Sequence, residues 1–254
     1  MAAPKNRFRE KLAARPVIHG SWLMTNSPTA TEAMGLLGFD FLVIDMEHVP
    51  LDLGDVVAHL QAVGNTDAAP VTRVPWNDAV MVKRVLDVGA QTLMFPFIQT
   101  VEEARAAVAA TRYPPDGIRG VAGSTRACGY GTTADYFKTA NAEIGVILQL
   151  ETPEAVARMA EIAAVPGVDA LFIGPADLSA NMGLLGEITH PDAQAELEAG
   201  ARAARALGKP VGIIAGSEAL ARAYERYGYT FVALASDMNF IAVGARAALA
   251  AARG

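Results

Sequence analysis

Short runs of β-branched and aromatic residues alternate along this chain with Ala-rich stretches whose apolar positions recur at helical spacing. That alternation is the pattern of a parallel sheet wrapped by crossover helices. It predicts strands at Val17–Trp22, Phe41–Asp45, Pro70–Val74, Thr92–Phe95, Gly145–Leu150, Ala170–Ile173, Val211–Ile214 and Phe231–Leu234. Between and after them it predicts helices at Ala30–Leu37, Leu53–Ala62, Ala79–Val88, Val101–Thr111, Glu154–Ala164, Pro191–Leu207, Glu218–Tyr227 and Asp237–Ala251. Gly89, Gly208 and Gly228 close three of these runs, where a left-handed helix cap is expected. Eight β/α pairs without a break in composition predict one (β/α)8 barrel domain over residues 1–254, a chain length ordinary for that fold. A doubly wound open sheet is the alternative on pattern alone.

Composition narrows the partners. With 52% hydrophobic and 19% charged residues the chain can fill a large core and leave apolar surface for oligomerisation. A formal net charge of −6 argues against nucleic acid and for a small-molecule partner. The single cysteine, Cys128, excludes an internal disulfide, and a reducing cytoplasm is expected. The basic start, with Lys5, Arg7, Arg9, Lys11 and Arg15, lacks the apolar run of a secretory signal, and no stretch is long and apolar enough to span a membrane.

One long segment, Tyr113 to Gly131, is crowded with Gly and Pro and breaks the repeat between the fourth and fifth strands. Loops of this length are commonly functional. Placed on the carboxyl side of a strand, it is expected at the active-site rim; a solvated surface loop is the plainer alternative.

In a barrel the chemistry collects at the carboxyl ends of the strands. The second strand delivers Asp45, Glu47 and His48, the third Arg73, the fifth Gln149 and Glu151, and the sixth Asp177, so that two acids are expected at consecutive strand ends. Glu151 and Asp177, two acids without cysteine company, suit Mg²⁺ or Mn²⁺ better than structural Zn²⁺; Co²⁺ and Zn²⁺ stay possible occupants. Each acid could instead serve a helix start, Glu151 through the dipole and Asp177 as a cap. The run Gly174-Pro175-Ala176-Asp177 opens a helix whose first amides could receive a substrate carboxylate, or is simply a strand-to-helix connector. Arg73 could stabilise a developing enolate oxygen, or balance buried acids. His48 titrates near neutrality and suits a general base, though a lone histidine there can equally pack or cap. None of the five lysines ends a strand, which disfavours imine chemistry, and no Gly-x-Ser-x-Gly, Walker or GxGxxG motif occurs.

From about Arg15 to Ala245 the chain resembles the HpcH/HpaI family of class II, metal-dependent pyruvate aldolases. The likeness is carried by Gly38-Phe-Asp-Phe-Leu-Val-Ile-Asp-Met-Glu-His48, Arg73-Val-Pro75, Val85-Leu-Asp-Val-Gly-Ala-Gln91, Thr111-Arg-Tyr-Pro-Pro115, Gly117-Ile-Arg-Gly120, Gln149-Leu-Glu151, Gly174-Pro-Ala-Asp-Leu178 and Phe231-Val-Ala233. The resemblance implies a pyruvate-type barrel in which Glu151 and Asp177 bind the divalent metal. It implies that Gln149 and the stretch Gly174, Pro175, Ala176 and Asp177 hold the 2-oxo acid, and that Arg73 stabilises the enolate. His48 would be the base, with Asp45 beside it and Asp87 raising its basicity. Ser124 is a further candidate substrate contact. Asp87, at the foot of a helix, could meet His48 only across a subunit boundary, so a homo-oligomer is implied, as a hexamer with the last helix exchanged between subunits. The implied reaction is reversible cleavage of 4-hydroxy-2-oxo acids to pyruvate, or hydroxypyruvate, and an aldehyde. The alternatives are a related enolate-forming lyase acting on oxaloacetate or an acyl-CoA, and a non-catalytic protein that binds 2-oxo acids. Met46, where several relatives have Gly, and the loop Ser124-Thr-Arg-Ala-Cys-Gly-Tyr130 depart from the family pattern and leave the aldehyde open.

Overall fold

The computed structural model describes residues 2–254. After helix α1 (Arg7–Ala14) the chain runs β1 (Ile18–Leu23), α2 (Pro28–Leu36), β2 (Phe41–Asp45), α3 (Leu53–Gly64), β3 (Ala69–Arg73), α4 (Ala79–Asp87), β4 (Thr92–Phe95) and α5 (Val101–Thr111). It continues through α6 (Tyr136–Glu143), β5 (Gly145–Leu150), α7 (Pro153–Ala157), α8 (Met159–Ala163), β6 (Ala170–Ile173), α9 (Pro175–Asn181) and α10 (Pro191–Ala206). It ends with β7 (Val211–Ile214), α11 (Glu218–Tyr227), β8 (Phe231–Ser236) and α12 (Asp237–Arg253). The strands pair in parallel in chain order and β8 closes on β1, so the predicted barrel forms and the open sheet does not.

Two apolar layers hold it. Because side chains alternate across a strand, Phe41 and Val43 of β2, Val71 of β3, Ile147 of β5, Phe172 of β6 and Phe231 of β8 fill the interior. Their neighbours, such as Leu42, Ile44, Leu148 and Ile173, pack outward under the helices. Two glycines make the interior possible. A Cβ on Gly20 would lie 2.5 Å from the Phe41 ring, and one on Gly212 would lie 2.1 Å from Phe231. Helix α1, which the strand pattern did not predict, plugs the amino-terminal end: Phe8 sits edge-on to Phe41 and Phe231 at 5.7 and 5.3 Å. It starts where the Asn6 side chain accepts from the Arg9 amide.

Three expectations need correction. The run expected as one helix from Glu154 to Ala164 is two short helices meeting at Arg158. Asp177 does not end a strand; β6 stops at Ile173, and Asp177 lies in the first turn of α9. The segment Tyr113 to Gly131 follows α5 rather than β4, so it belongs to a helix-to-strand connection and lies on the amino-terminal face of its own barrel. There Arg126 Nη1 donates to the Val88 carbonyl at the end of α4, and Asn141 Nδ2 donates to the Tyr113 carbonyl. It therefore does not border its own barrel's carboxyl face.

Helix α12 leaves the barrel after Asp237, its one buried residue, and exposes Met238, Phe240, Ile241, Val243 and Leu249. Among the described residues no helix is long and apolar enough to cross a membrane.

Candidate active site

The alternation that fills the barrel also builds its top layer. In β2, Asp45 shares the inward face of Phe41 and Val43; in β3, Arg73 follows Val71; in β5, Gln149 follows Ile147. The β2–β3 register sets Asp45 directly opposite Arg73. The guanidinium accordingly donates through Nε to Asp45 Oδ1 at 2.8 Å and through Nη2 to Oδ2 at 2.6 Å. Asp45 is fully buried and also accepts from the Glu47 amide at 3.0 Å. Arg73 Nη1 stands 2.8 Å from Glu47 Oε2, an ion-pair contact outside hydrogen-bond alignment, and the guanidinium carbon lies 5.2 Å from the centre of the Trp22 ring. Burial alone would lower the Arg73 pKa, but Asp45, with Glu47, raises it above the ordinary value. The result is a permanent cation locked in one orientation, with its fork committed to Asp45.

Beside it stands a second fixed group. Glu151, 3% exposed, accepts from Gln149 Nε2 through Oε1 at 2.7 Å and from the Phe97 amide through Oε2 at 2.8 Å. Desolvation pushes its pKa up to about 7; the Gln149 hydrogen bond works against that shift and the Asp177 charge adds to it. Gly174 borders Oε1 so closely that a Cβ there would lie 2.5 Å away. Asn181 Nδ2 ties the two acids' backbones together, donating to the carbonyls of Glu151 at 3.2 Å and Asp177 at 2.9 Å.

A buried carboxylate held by neutral donors, next to a second carboxylate and with no cation of its own, favours a positive occupant. Gln149 Oε1 is likewise buried without a partner. The residues thus fit a hard divalent ion. Among the described residues no three His, Cys, Asp or Glu side chains gather as a ready-made cage.

The other candidates fall in two places. His48, with a 61% exposed side chain, has Nε2 3.8 Å from Glu47 Oε2 at the carboxyl face. Gly174 and Pro175 are buried and Ala176 and Asp177 exposed where α9 begins. Asp87 and Ser124 are not in this cluster. Asp87 ends α4 and pairs with Arg119 at 2.9 Å, and Ser124 is exposed in the Tyr113–Gly131 segment, both on the amino-terminal face. Asp45, expected among the catalytic groups, is enclosed and engaged by Arg73, so in this arrangement its contact is with the arginine.

Two participants had no signal of their own: Trp22 fell within a predicted strand, and Phe97 in the connection after the predicted strand Thr92–Phe95. Glu47 was visible beside His48, but its contact with Arg73 depends on the β2–β3 register.

A closed parallel barrel that collects carboxylates, an arginine and a histidine at the carboxyl ends of its strands has the layout of a barrel enzyme. The chain matches the HpcH/HpaI aldolase/citrate lyase family over residues 19–242 and belongs to it. It is 47% identical over 234 residues to the 5-keto-4-deoxy-D-glucarate aldolase of Escherichia coli, covering 92% of this chain and 91% of the relative. A crystal structure of an HpcH/HpaI aldolase/citrate lyase family protein from Burkholderia cenocepacia superposes with a TM-score of 0.95 at 43% identity, covering 98% of this chain and 100% of the other. The HpcH/HpaI aldolase of Desulfitobacterium hafniense gives a TM-score of 0.85 at 28% identity, covering 95% of each. The chain is an enzyme of this aldolase (lyase) class.

Proposed function

We propose that the enzyme cleaves, and in reverse forms, a 4-hydroxy-2-oxo acid, giving pyruvate or hydroxypyruvate and an aldehyde. The observation that carries this reading is Glu151, a buried carboxylate fixed through both oxygens beside a locked arginine. Numbered from its keto end, a 5-keto-4-deoxy-glucarate is a 2-oxo-3-deoxy-4-hydroxy acid, so the name of the E. coli relative points to a sugar diacid as substrate. Cleavage between C3 and C4 of such a molecule yields pyruvate and a three-carbon aldehyde acid.

Glu151 and Asp177 would hold a divalent cation, Mg²⁺ or Mn²⁺, which when bound supplies Lewis-acid polarisation of the 2-oxo group. Gln149 and the first amides of α9, at Ala176 and Asp177, orient the substrate's carboxylate end. His48 takes the proton of the C4 hydroxyl as the C3–C4 bond breaks. The bonding pair moves toward C2, and the negative charge on the C2 oxygen faces Arg73, whose orientation Asp45 and Glu47 maintain. The aldehyde leaves, and His48 gives up its proton, directly or through water, to C3, which completes the methyl group of pyruvate and returns the histidine to its neutral form.

Asp87 acts in this reading on a neighbouring subunit's His48. Its position on the face opposite its own His48, the exposure of His48 and the uncovered apolar side of α12 support an oligomer, with a hexamer and an exchanged last helix as the arrangement we favour. The test is a coupled assay for pyruvate release from a panel of 4-hydroxy-2-oxo acids with Mg²⁺ or Mn²⁺, with oxaloacetate and an acyl-CoA as competing substrate classes. Chelator-sensitive pyruvate release from a hydroxylated sugar diacid supports the proposal. Turnover that persists in chelator, or is confined to oxaloacetate or the thioester, rejects it.

A further inference from the structure

We infer that Phe97 is a positioning residue for Glu151, acting through its backbone rather than its ring. The inference rests on the metal-binding reading above. Phe97 adopts φ 53°, one of three non-glycine residues with positive φ among those described. A bulky side chain is poorly suited to that region, and such a conformation persists only where its surroundings impose it.

The ladder around Phe97 shows what imposes it. Phe95 of β4 is in register with Leu148 of β5, yet the next link joins the Ile98 amide to the Gln149 carbonyl at 3.0 Å. A regular parallel ladder would bring the Phe97 amide to that carbonyl, so the β4 side carries one extra residue here, a bulge-like turn of the kind that re-aims a group beside a site. What it aims is the Phe97 N–H, which donates to Glu151 Oε2 at 2.8 Å. The ring gains less from the fold. It lies 38% exposed on the rim, stacked on the exposed Trp76 with ring centres 6.3 Å apart.

With Gln149 holding Oε1 and Gly174 closing the space beside it, the Phe97 amide completes the restraint that leaves the carboxylate one orientation. Groups that orient a metal ligand in this way are commonly worth 10–100-fold in metal affinity.

The test separates backbone from ring. Mn²⁺ binding is titrated by electron paramagnetic resonance on the purified full-length protein and on Phe97→Gly, Phe97→Asn and Phe97→Val, with circular dichroism melts as the folding control. Gly and Asn accept positive φ; β-branched Val resists it. The expected result is near-native affinity for Gly and Asn and a Kd raised about 10–100-fold for Val. If Val fails to fold, Phe97→Ala takes its place and is expected to bind more weakly than Gly. Val or Ala binding as tightly as the native chain, or Gly and Asn binding more weakly than Val or Ala, overturns the inference while leaving the metal site standing. A native chain that binds no Mn²⁺ overturns the metal reading and this inference with it.

Discussion

Replacing Glu151 with Gln should stabilise the metal-free protein at alkaline pH and remove the stabilisation that divalent cations give the native chain. The folded-state pKa lies near 7, above the ordinary 4.5, because burial penalises the charged form. The folded protein therefore holds a proton on Glu151 more tightly than the unfolded chain does. That contribution to stability is complete below about pH 4.5 and is lost as pH rises through about 7, so the ionised carboxylate weighs fully on the fold above that. The difference corresponds to a ceiling of about 3 kcal/mol. A Gln side chain escapes it but cannot accept from both Gln149 and Phe97 as the carboxylate does, which costs about 1 kcal/mol. The net gain of about 1–2 kcal/mol amounts to a rise in Tm of about 2–8 °C for a chain of this size. The assay is a set of thermal melts in chelator from about pH 5 to about pH 8.5, repeated with excess Mn²⁺. The variant should melt higher at the alkaline end, with the advantage gone near about pH 5. Mn²⁺ should stabilise the native chain, by about 2.7 kcal/mol at a hundredfold excess over Kd, and leave the variant unmoved. A variant that melts below the native chain at about pH 8.5 in chelator, or that gains as much from Mn²⁺, refutes the reasoning.

Gly174→Ala sets a methyl group 2.5 Å from Glu151 Oε1 and should weaken Mn²⁺ binding about 10–100-fold in calorimetric titration, with the barrel's circular dichroism unchanged. Arg73→Lys exchanges a planar fork on Asp45 for a point charge, and steady-state kinetics should show kcat reduced about 10²-fold. If Asp87 serves a neighbour's His48, then His48→Asn and Asp87→Asn are each nearly inactive alone. Dissociating and reassembling the two together should restore pyruvate release; mixtures as inactive as either variant would exclude a shared site.

The barrel was legible because its strands are buried on both sides and read as short apolar runs; β2, β4, β5, β6 and β7 lie where the pattern places them. Helix α1 was not, since its segment is short, polar and basic and is held by contacts distant in the chain: Phe8 against Phe41 and Phe231, and Asn6 Nδ2 donating to the Gln91 and Glu143 carbonyls. The segment 113–131 shows where counting residues between strands fails. What decides the face of a connection is whether a helix has already intervened, and α5 reverses the chain before Tyr113.

At the site, the residue types that end strands were visible in the sequence, and the structure gathers Asp45, Glu47, Arg73, Gln149 and Glu151 from the ends of three strands far apart in the chain. Their roles depend on contacts no linear spacing encodes. Asp45 reads as a possible catalytic acid until the β2–β3 register sets it against Arg73. The positive φ of Phe97 follows from a bulge between β4 and β5 and has no signature in an aromatic residue after proline. Asp87 and Ser124 share a face with Arg119 and α4, a grouping that chain order alone does not reveal.

The most direct test of the central claim needs no knowledge of the aldehyde: the methyl protons of pyruvate followed by NMR in D₂O with the purified enzyme. Exchange that requires Mg²⁺ or Mn²⁺, stops with chelator and is lost in His48→Asn is the predicted result. Pyruvate whose methyl protons stay unexchanged with every divalent ion supplied would contradict the account at its centre.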